Sequence, residues 1–533
     1  LSYIKTLINA LEEYSGKFGA YFKWYVHTNN FTAFNLKKTL ITNRAVLLYR
    51  MMVAVALLVI AFSVFIIVEG AKGNIAGGVY FGLASLVVTP FLLAMLAPLL
   101  QFVAYTLPAL HPKTIGKSVV CRVLERQATQ LRNKNSFKIV VVAGSMGKTS
   151  TKLAIAQTLE HAGLSVRYQN GNYNDRLTVP LVLFDQELPS LLNALAWLKV
   201  FLNNRRIIRS NFPYDAVVLE LGTDGPGQLA KFAYLKPDIA LVTGIAAEHM
   251  EYFGSLDAVA NEELETLRFS KKTLINTDDV PATYRKGKRY TSYGLSNENE
   301  YRIQGAEVDL QGQIVECLHN NRVIVKQKVA FIGPQGRKII AAAFAVGDLL
   351  KLKAPDMAAA FAQLKPPAGR MQQLHGIKGA TIIDDSYNAT PAAVEVALAV
   401  LQKSKASKRI AVLGSMNELG NFSAEAHRTI GESIDPERVS LVVTIGEEAN
   451  RYLAPAAQQN KCNVVTFLNP KKAGEYVKDH IEKDTVVLVK GSQNGVFSEE
   501  AIKPLLADKK DVAKLVRQSK YWMNRKRTIL NLK

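Results

Sequence analysis

Cysteine is scarce: Cys121, Cys317 and Cys462 are the three in 533 residues, far apart and without a CxxC or Cys/His spacing. That excludes a disulfide framework and a zinc site of the usual ligand spacing, and it points to a reducing compartment. Acidic residues are also short, 45 Asp and Glu against 66 Lys and Arg, for a net charge of +21. Such a balance calls for a polyanionic neighbour: nucleic acid, an anionic membrane face or a phosphorylated substrate. No nucleic-acid module is visible, so nucleic acid explains the charge less well than the other two. There is no low-complexity tract and no repeat of fixed period. With 48% hydrophobic and 21% charged residues, the chain is not disordered. Its length exceeds what one core supports, so two or three domains are expected.

Two stretches lack charge almost entirely. Met51–Val68 carries Ser63 as its one polar residue, and Gly73–Leu110 has no charged residue at all. A run of roughly 18 to 20 apolar residues is long enough to cross a bilayer as a helix. The short link between them (Glu69, Gly70, Lys72, Gly73) and the glycines Gly77 and Gly78 read as a helical hairpin, with two buried core helices as the rival reading. Pro90 and Pro98 are expected to kink the second helix or to end it. Lys37, Lys38, Arg44 and Arg50 precede the hairpin, and Lys113, Lys117, Arg122 and Arg126 follow it. By the positive-inside rule both ends face the cytoplasm. A cleaved signal peptide fits poorly, because the apolar run starts far into the chain and a second follows.

The ends are basic. Residues 1–50 hold seven Lys/Arg against Glu12 and Glu13, and 503–533 hold ten against Asp508 and Asp511. Both suit anionic headgroups; a solvated helix face is the plainer alternative. Residues 1–45 mix lysines with Tyr14, Phe18, Tyr21, Phe22, Trp24 and Tyr25, which fits an interfacial amphipathic segment or a small folded cap.

From Phe137 onward, apolar strand-like runs alternate with helical stretches: KIVVVAG, DAVVLELG, DIALVTGI, KTLINTDD, and after Pro366-Pro367 TIIDDSYN, RIAVLGS, LVVTIG, TVVLVKGS. This alternation predicts two doubly wound α/β domains. The expected organisation is an aromatic and basic segment (1–45), a transmembrane hairpin (46–112) and a linker helix (113–136). A nucleotide-binding domain (137–367), a second α/β domain (368–506) and a basic tail (507–533) follow. Residues 280–328 read as a strand-rich insertion in the first α/β domain.

The first strand runs into GSMGKTST and then a helix. Glycines let backbone amides wrap a phosphate, Lys148 reaches its terminal oxygens, and the Thr149 hydroxyl suits Mg²⁺. Val142 stands where the full phosphate-loop pattern has its first glycine. This loop, with NGNYNDRLTVPL (170–181), VLELGTDGPGQL (218–229), TGIAAEHMEYFGSLDAVANEE (243–263), GRMQQLHG (369–376), IDDSYNATP (383–391), VLGSMNELGNFSAEAHRTIG (412–431) and LVKGSQN (488–494), resembles the Mur ligase superfamily. These are ATP-dependent amide-forming ligases of cell-wall synthesis, and the order and spacing are most similar to the MurF branch, which joins D-alanyl-D-alanine to a muramoyl tripeptide.

The resemblance implies ATP and Mg²⁺ as cofactors, a P-loop-type central domain and a Rossmann-like C-terminal domain. It places Gly144, Ser145, Gly147, Lys148, Thr149, Ser150, Arg370, Asp385 and Tyr387 on the nucleotide. Thr149, Glu220 and His249 are implied metal ligands, and Lys148, Glu220, His249 and Glu263 the catalytic set. Glu263 stands where many Mur ligases have a carbamylated lysine, and a carboxylate there supplies the anion directly; an ordinary solvated helix residue is the alternative. Asn172, Asn174 and Asp175 are implied near the sugar-peptide substrate, and Asn417, Glu418, His427, Lys490 and Ser492 near the amine. Four departures from the family pattern stand out: Lys338 and Ile339 replace its His and Asn, Gln493 replaces its Arg, and Ser415 its Asp.

Where the family usually has a soluble N-terminal domain that grips the uridine-sugar, the stretch before the phosphate loop holds the aromatic segment and the hairpin, and nothing in it looks like a uridine site. The implied partners are therefore a cell-wall precursor, either a UDP-sugar peptide or a lipid-linked form, an amino acid or dipeptide, and an anionic membrane surface. A ligase extending lipid-linked peptidoglycan or a poly-amino-acid polymer is the enzymatic alternative. A nucleotide-binding membrane scaffold without turnover is the non-enzymatic one.

Overall fold

A computed structural model describes the chain except residues 1–3, 5–6, 9–10, 12–17, 28–42, 74–75, 111, 170–172, 192, 248–249, 306–309, 311, 494 and 531–533. Two compact units emerge, residues 1–122 with 190–194, and residues 123–189 with 195–533.

The first unit is built on α1 (Asn43–Lys72) and α2 (Ala76–Leu110). Within them, Leu48–Lys72 and Ala76–Gln101 are long and apolar enough to cross a membrane, and little of either stretch is buried. Small residues let the two backbones approach. A Cβ on Gly82 would lie 2.4 Å from Ile67 Cγ1, and the Ser63 and Ser85 hydroxyls bond at 2.6 Å. Of the two outcomes expected at Pro90 and Pro98, a kink or an end, the helix does not end, since α2 runs through both. Proline 98 lacks the N–H that would reach the Ala94 carbonyl four residues back. The Tyr21 hydroxyl donates to that carbonyl instead, at 3.1 Å. Tyr21 comes from the short helix Phe18–His27, and with Ile4, Leu7, Ile8 and Leu11 it packs on Leu48, Met52, Leu93 and Ala97. The described part of the aromatic segment thus packs against the hairpin's own helices.

The helix α3 (Pro112–Lys134) leads to the second unit. Its first sheet has nine strands in the order β2-β3-β1-β4-β5-β6-β7-β8-β9. They are β1 (Lys138–Ala143), β2 (Val166–Tyr168), β3 (Ala216–Glu220), β4 (Ile239–Val242), β5 (Lys272–Asn276), β6 (Thr291–Gly294), β7 (Tyr301–Gly305), β8 (Gln313–His319) and β9 (Arg322–Val329). Strands β1, β3 and β4 are continuous apolar runs buried along almost their whole length, as a parallel sheet covered on both faces requires. The helices α4 (Lys148–His161), α5 (Ala194–Arg209), α6 (Leu256–Glu263) and α7 (Gly333–Leu349) belong to this half. Residues 280–328 are strand-rich, as expected, and lie within the first α/β half. Their strands continue the same sheet, β6 and β7 in parallel and β8 and β9 as an antiparallel meander.

The second sheet has six strands, ordered β10-β11-β15-β12-β13-β14: β10 (Gln372–His375), β11 (Thr381–Asp385), β12 (Lys408–Gly414), β13 (Leu441–Ile445), β14 (Val464–Phe467) and β15 (Thr485–Lys490). All pairs are parallel except β10 with β11. Helices α8 (Pro391–Lys403), α9 (Ser423–Glu432) and α10 (Lys520–Leu530) accompany it. The basic C-terminal stretch is not solvated throughout. Lys526 of α10 is fully buried, its Nζ 2.8 Å from Glu499 and 2.6 Å from Glu500. Cys121, Cys317 and Cys462 are free and buried.

Candidate active site

Strand β1 ends against β3 and β4, and the chain turns at Gly144 into the loop before α4. Gly144 has φ +117°, and a Cβ there would lie 2.4 Å from Thr243 Oγ1, so glycine is required for the loop to close on β4. The Thr243 hydroxyl donates to the Met146 carbonyl at 2.6 Å. Gly147, with φ +76°, is the residue before the helix. Amides at such a helix start face an anion with no intrahelical partner.

This loop forms one wall of a cavity of about 350 Å³, a size suited to a small ligand. Ser145, Gly147, Lys148, Thr149, Ser150, Asn174, Asp175 and Glu220 line it from the first α/β half, and Arg370, Asp385, Tyr387, Glu418 and Lys490 from the second. Its apolar wall includes Phe331, Ile332, Ile339, Met371 and Val396. Two buried polar atoms on the walls lack a hydrogen-bond partner, Ser145 Oγ and Arg370 Nε. Unpaired donors on residues that line a phosphate-loop cavity fit an anionic ligand.

Glu220 ends β3 and is paired with a residue the sequence reading passed over. Lys152, one turn into α4 beyond Lys148, is fully buried with Nζ 3.6 Å from Glu220 Oε2 and 3.1 Å from the Gln169 carbonyl. Burial lowers the Lys152 pKa, and Glu220 opposes that shift. The spacing of four residues after Lys148 was the available signal, since it puts both lysines on one face of the helix.

Glu263 is not on a solvated helix face. Its side chain is fully buried, Oε2 accepts the Gly144 N–H at 2.6 Å, and Oε1 lies 3.9 Å from Lys148 Nζ. The carboxylate therefore braces the phosphate loop. Neighbouring Glu262, not singled out from sequence, accepts the amides of Gly227, Gln228 and Leu229 at 2.6 to 2.8 Å. His249 and Asn172 lie outside the described residues.

In the second half the predicted residues divide. Lys490 Nζ bonds Asp385 Oδ2 at 2.6 Å and the Asn388 carbonyl at 2.9 Å, so the nucleotide and amine candidates are joined as one buried pair. The Arg370 guanidinium stacks 4.1 Å above the Tyr387 ring. Asn417 donates to the Gln493 carbonyl at 2.7 Å, and the Ser492 hydroxyl accepts the Asn417 amide at 3.0 Å. The structure does not bring His427 to the cavity. It is fully buried, Nε2 accepts the Met416 N–H at 2.9 Å, and Nδ1 lies 2.8 Å from the Ser423 carbonyl. Burial lowers its pKa, so the neutral ring props up the loop after β12. Ser492 is likewise buried within that loop cluster.

Arg517, from the basic C-terminal stretch, was also missed. Its guanidinium donates to the Ser386 and Tyr387 carbonyls at 2.6 and 2.9 Å and to Glu499 at 2.8 and 2.6 Å. Composition presents it as one cation among many; only the fold brings it under the Tyr387 loop. Of the family departures, Lys338 pairs with Asp279 at 2.6 Å and Ile339 joins the apolar wall.

Among the described residues no group of three or more His, Cys, Asp and Glu is arranged to hold a metal ion by itself. Mg²⁺ needs no such group, since it keeps waters and takes one or two carboxylates alongside substrate phosphates. Glu220 and Thr149 on one cavity wall fit that pattern.

Comparison with known proteins agrees with this geometry. The Mur ligase middle domain matches residues 142–347, and the Mur ligase glutamate ligase domain matches residues 369–493. The UDP-N-acetylmuramoyl-tripeptide–D-alanyl-D-alanine ligase of Bacillus subtilis is 27% identical over 396 residues, covering 72% of this chain and 79% of that protein. The Escherichia coli ligase of the same name is 26% identical over 388 residues, 70% and 78% of the two chains. The fold is similar to MurF from Acinetobacter baumannii (TM-score 0.58, 20% identity, 71% of this chain and 78% of that one). MurF from Thermotoga maritima, solved in complex with ADP, gives 0.56 at 24% identity over 72% and 84%. With both domains matched in chain order over its second unit, the chain belongs to the Mur ligase family.

Proposed function

We propose that the protein is a membrane-anchored, ATP-dependent amide ligase of MurF type, joining a cell-wall precursor carboxylate to an amino acid or dipeptide such as D-Ala-D-Ala. One observation carries the reading: Ser145, Lys148, Thr149 and Glu220 share a cavity with Arg370, Asp385 and Tyr387. ATP with Mg²⁺, when bound, would supply the terminal phosphoryl group to the substrate carboxylate with release of ADP, so that the amine could then attack the acyl carbon and release phosphate. The chain's residues do the rest by position and charge. The loop amides and the Ser145 hydroxyl take phosphate oxygens, and Lys148 neutralises the terminal group. Thr149 and Glu220 would hold the metal, with His249 as the further ligand that the family resemblance implies. Lys152 fixes the Glu220 carboxylate, while Glu263 holds the loop and Lys148 in register. From the other side Arg370 reaches the phosphates, and Asp385, tied to Lys490, faces the ribose. Tyr387 and the apolar wall of Phe331, Ile332 and Ile339 cover the adenine. Asn174 and Asp175 lie toward the sugar-peptide, and Asn417 and Glu418 toward the amine.

Anchoring rests on α1 and α2, whose apolar side chains, such as Leu58, Phe65, Phe81 and Val87, are exposed. A soluble core helix would bury them. The basic flanks put the ligase body in the cytoplasm. A membrane-held enzyme also suits a lipid-linked precursor, because partners confined to one plane meet at high effective concentration.

The test is product mass spectrometry on the full chain in nanodiscs with ATP, Mg²⁺ and D-Ala-D-Ala. UDP-MurNAc-tripeptide goes in one tube and its lipid-linked counterpart in another, with Lys148→Ala as control. A pentapeptide product lost in Lys148→Ala is expected. Product from the lipid-linked tube alone assigns the reaction to the membrane surface, and ATP turnover without either product refutes the substrate.

A further inference from the structure

The ligase unit carries a helix face that its own packing leaves uncovered. Helix α5 (Ala194–Arg209) reads ALAWLKVFLNNRRIIR and contains no acidic residue. Its inner side buries Trp197, Val200 and Asn204 and is fixed to α3. Asn204 Nδ2 donates to Gln127 Oε1 at 2.9 Å, Gln127 Nε2 to the Phe201 carbonyl at 2.9 Å, and Lys134 Nζ to the Ile208 and Arg209 carbonyls at 2.9 and 2.8 Å. These bonds fix which side points outward.

The outward side has two zones. Leu195, Leu198 and Leu202 are 80%, 53% and 46% exposed, and their spacing of three and four puts them on one stripe. Lys199, Arg205, Arg206 and Arg209 continue the same side, exposed, and among the described residues none has a carboxylate partner. Single exposed leucines are ordinary. A leucine stripe running into unpaired cations on a rigidly held helix is the pattern of a helix lying in a lipid interface. A second copy of the chain fits poorly, because a two-fold contact sets the patch on itself and opposes four cations to four.

We propose that this face of α5 docks on the anionic membrane surface, its leucines in the headgroup–acyl boundary and its arginines on lipid phosphates. The inference rests on the reading that α1 and α2 anchor the chain in a bilayer. It makes the ligase unit a body seated on the membrane by its own surface, with the precursor's lipid-facing side as the side it meets.

The test places an environment-sensitive fluorophore on Leu198→Cys in the full chain; the native cysteines are buried and stay unlabelled. Leu468→Cys, exposed on the second α/β half, is the reference. In nanodiscs with anionic lipid, brominated acyl chains are expected to quench the label at 198 and not at 468. The triple change Arg205→Gln, Arg206→Gln, Arg209→Gln should weaken docking by about fivefold per arginine, roughly a hundredfold together, and restore solvent-like emission. Equal quenching at both positions in a chain that stays in the disc overturns the docking and leaves the anchor standing. Quenching indifferent to lipid charge and to the arginines overturns the assigned chemistry. Burial of the label that grows with protein concentration in detergent assigns the face to a second copy. A chain that fails to enter the discs refutes the anchor itself, and with it this proposal.

Discussion

Arg517→Ala separates the role of the C-terminal stretch from that of the family core. Arg517 lies beyond the matched family domains, yet it supplies donors to the Ser386 and Tyr387 carbonyls and a paired contact to Glu499. Hydrogen bonds from a charged group contribute about 1.5 to 3 kcal/mol each, and breaking a buried ion pair costs about 3 to 5 kcal/mol. Glu499 keeps Lys526 at 2.8 Å, so the lower end applies, a loss of about 3 kcal/mol in unfolding free energy. The released loop carries Tyr387 and adjoins Asp385, and we expect ATP binding to weaken about tenfold, or about 1.4 kcal/mol. Arg517→Lys should fall between, since an ammonium keeps the charge and loses the planar fork. Denaturant unfolding measures the first quantity, and titration with a fluorescent ATP analogue, at temperatures where both variants are folded, measures the second. A destabilised variant that binds ATP as tightly as the parent refutes the positioning role and leaves Arg517 as a structural staple.

Three further outcomes follow from the same geometry. Burial pushes the Asp384 carboxyl up from 3.8 to about 7, so the fold favours its protonated form, and stability present below pH 4 is lost as pH rises through 7. Asp384→Asn should therefore melt progressively higher than the parent between those pH values and keep a constant lead above them; a lead independent of pH refutes the shift. Glu263→Gln keeps an acceptor for the Gly144 amide but removes the anion beside Lys148. Turnover should fall by about 10- to 100-fold, the scale of groups that support a metal or phosphate site, and unchanged steady-state rates would count against the brace. In the hairpin, Gly82→Val puts a side chain where the Cβ alone lies 2.4 Å from Ile67. Overpacking of about 1 to 3 kcal/mol should separate the helices, read as slower cysteine cross-linking between α1 and α2 in nanodiscs.

Much of this molecule is legible in its sequence because the relevant physics is local. A charge-free run long enough to span a bilayer, strands apolar on both faces, and glycines before GKTS each state their structure without help from distant residues. Local rules also misled where a distant group intervened. Pro98 reads as a place to kink or end the helix; α2 continues through it, and Tyr21, remote in sequence, donates to the carbonyl that proline leaves unpaired. Residues 280–328 read as strand-rich, and strand pattern does not reveal which sheet edge a strand joins. His427, in motif register with ligand-contacting residues, is buried with both ring nitrogens engaged. The motif fixes residue type and position, and only packing decides which side of a loop a ring faces. For Glu263 the sequence left two readings open, an anion at the phosphate site or a solvated residue in a run of acids, and burial against the Gly144 amide excludes the second. Arg517 and Lys526 carry no sequence signal that separates them from other cations in a chain of charge +21. Sequence determined the strand–loop–helix that takes a phosphate and the apolar helices, because hydrophobic periodicity and backbone freedom are properties of neighbours. Tertiary structure alone decided which charges pair, since a buried ion pair is set by elements that meet only when the chain has folded.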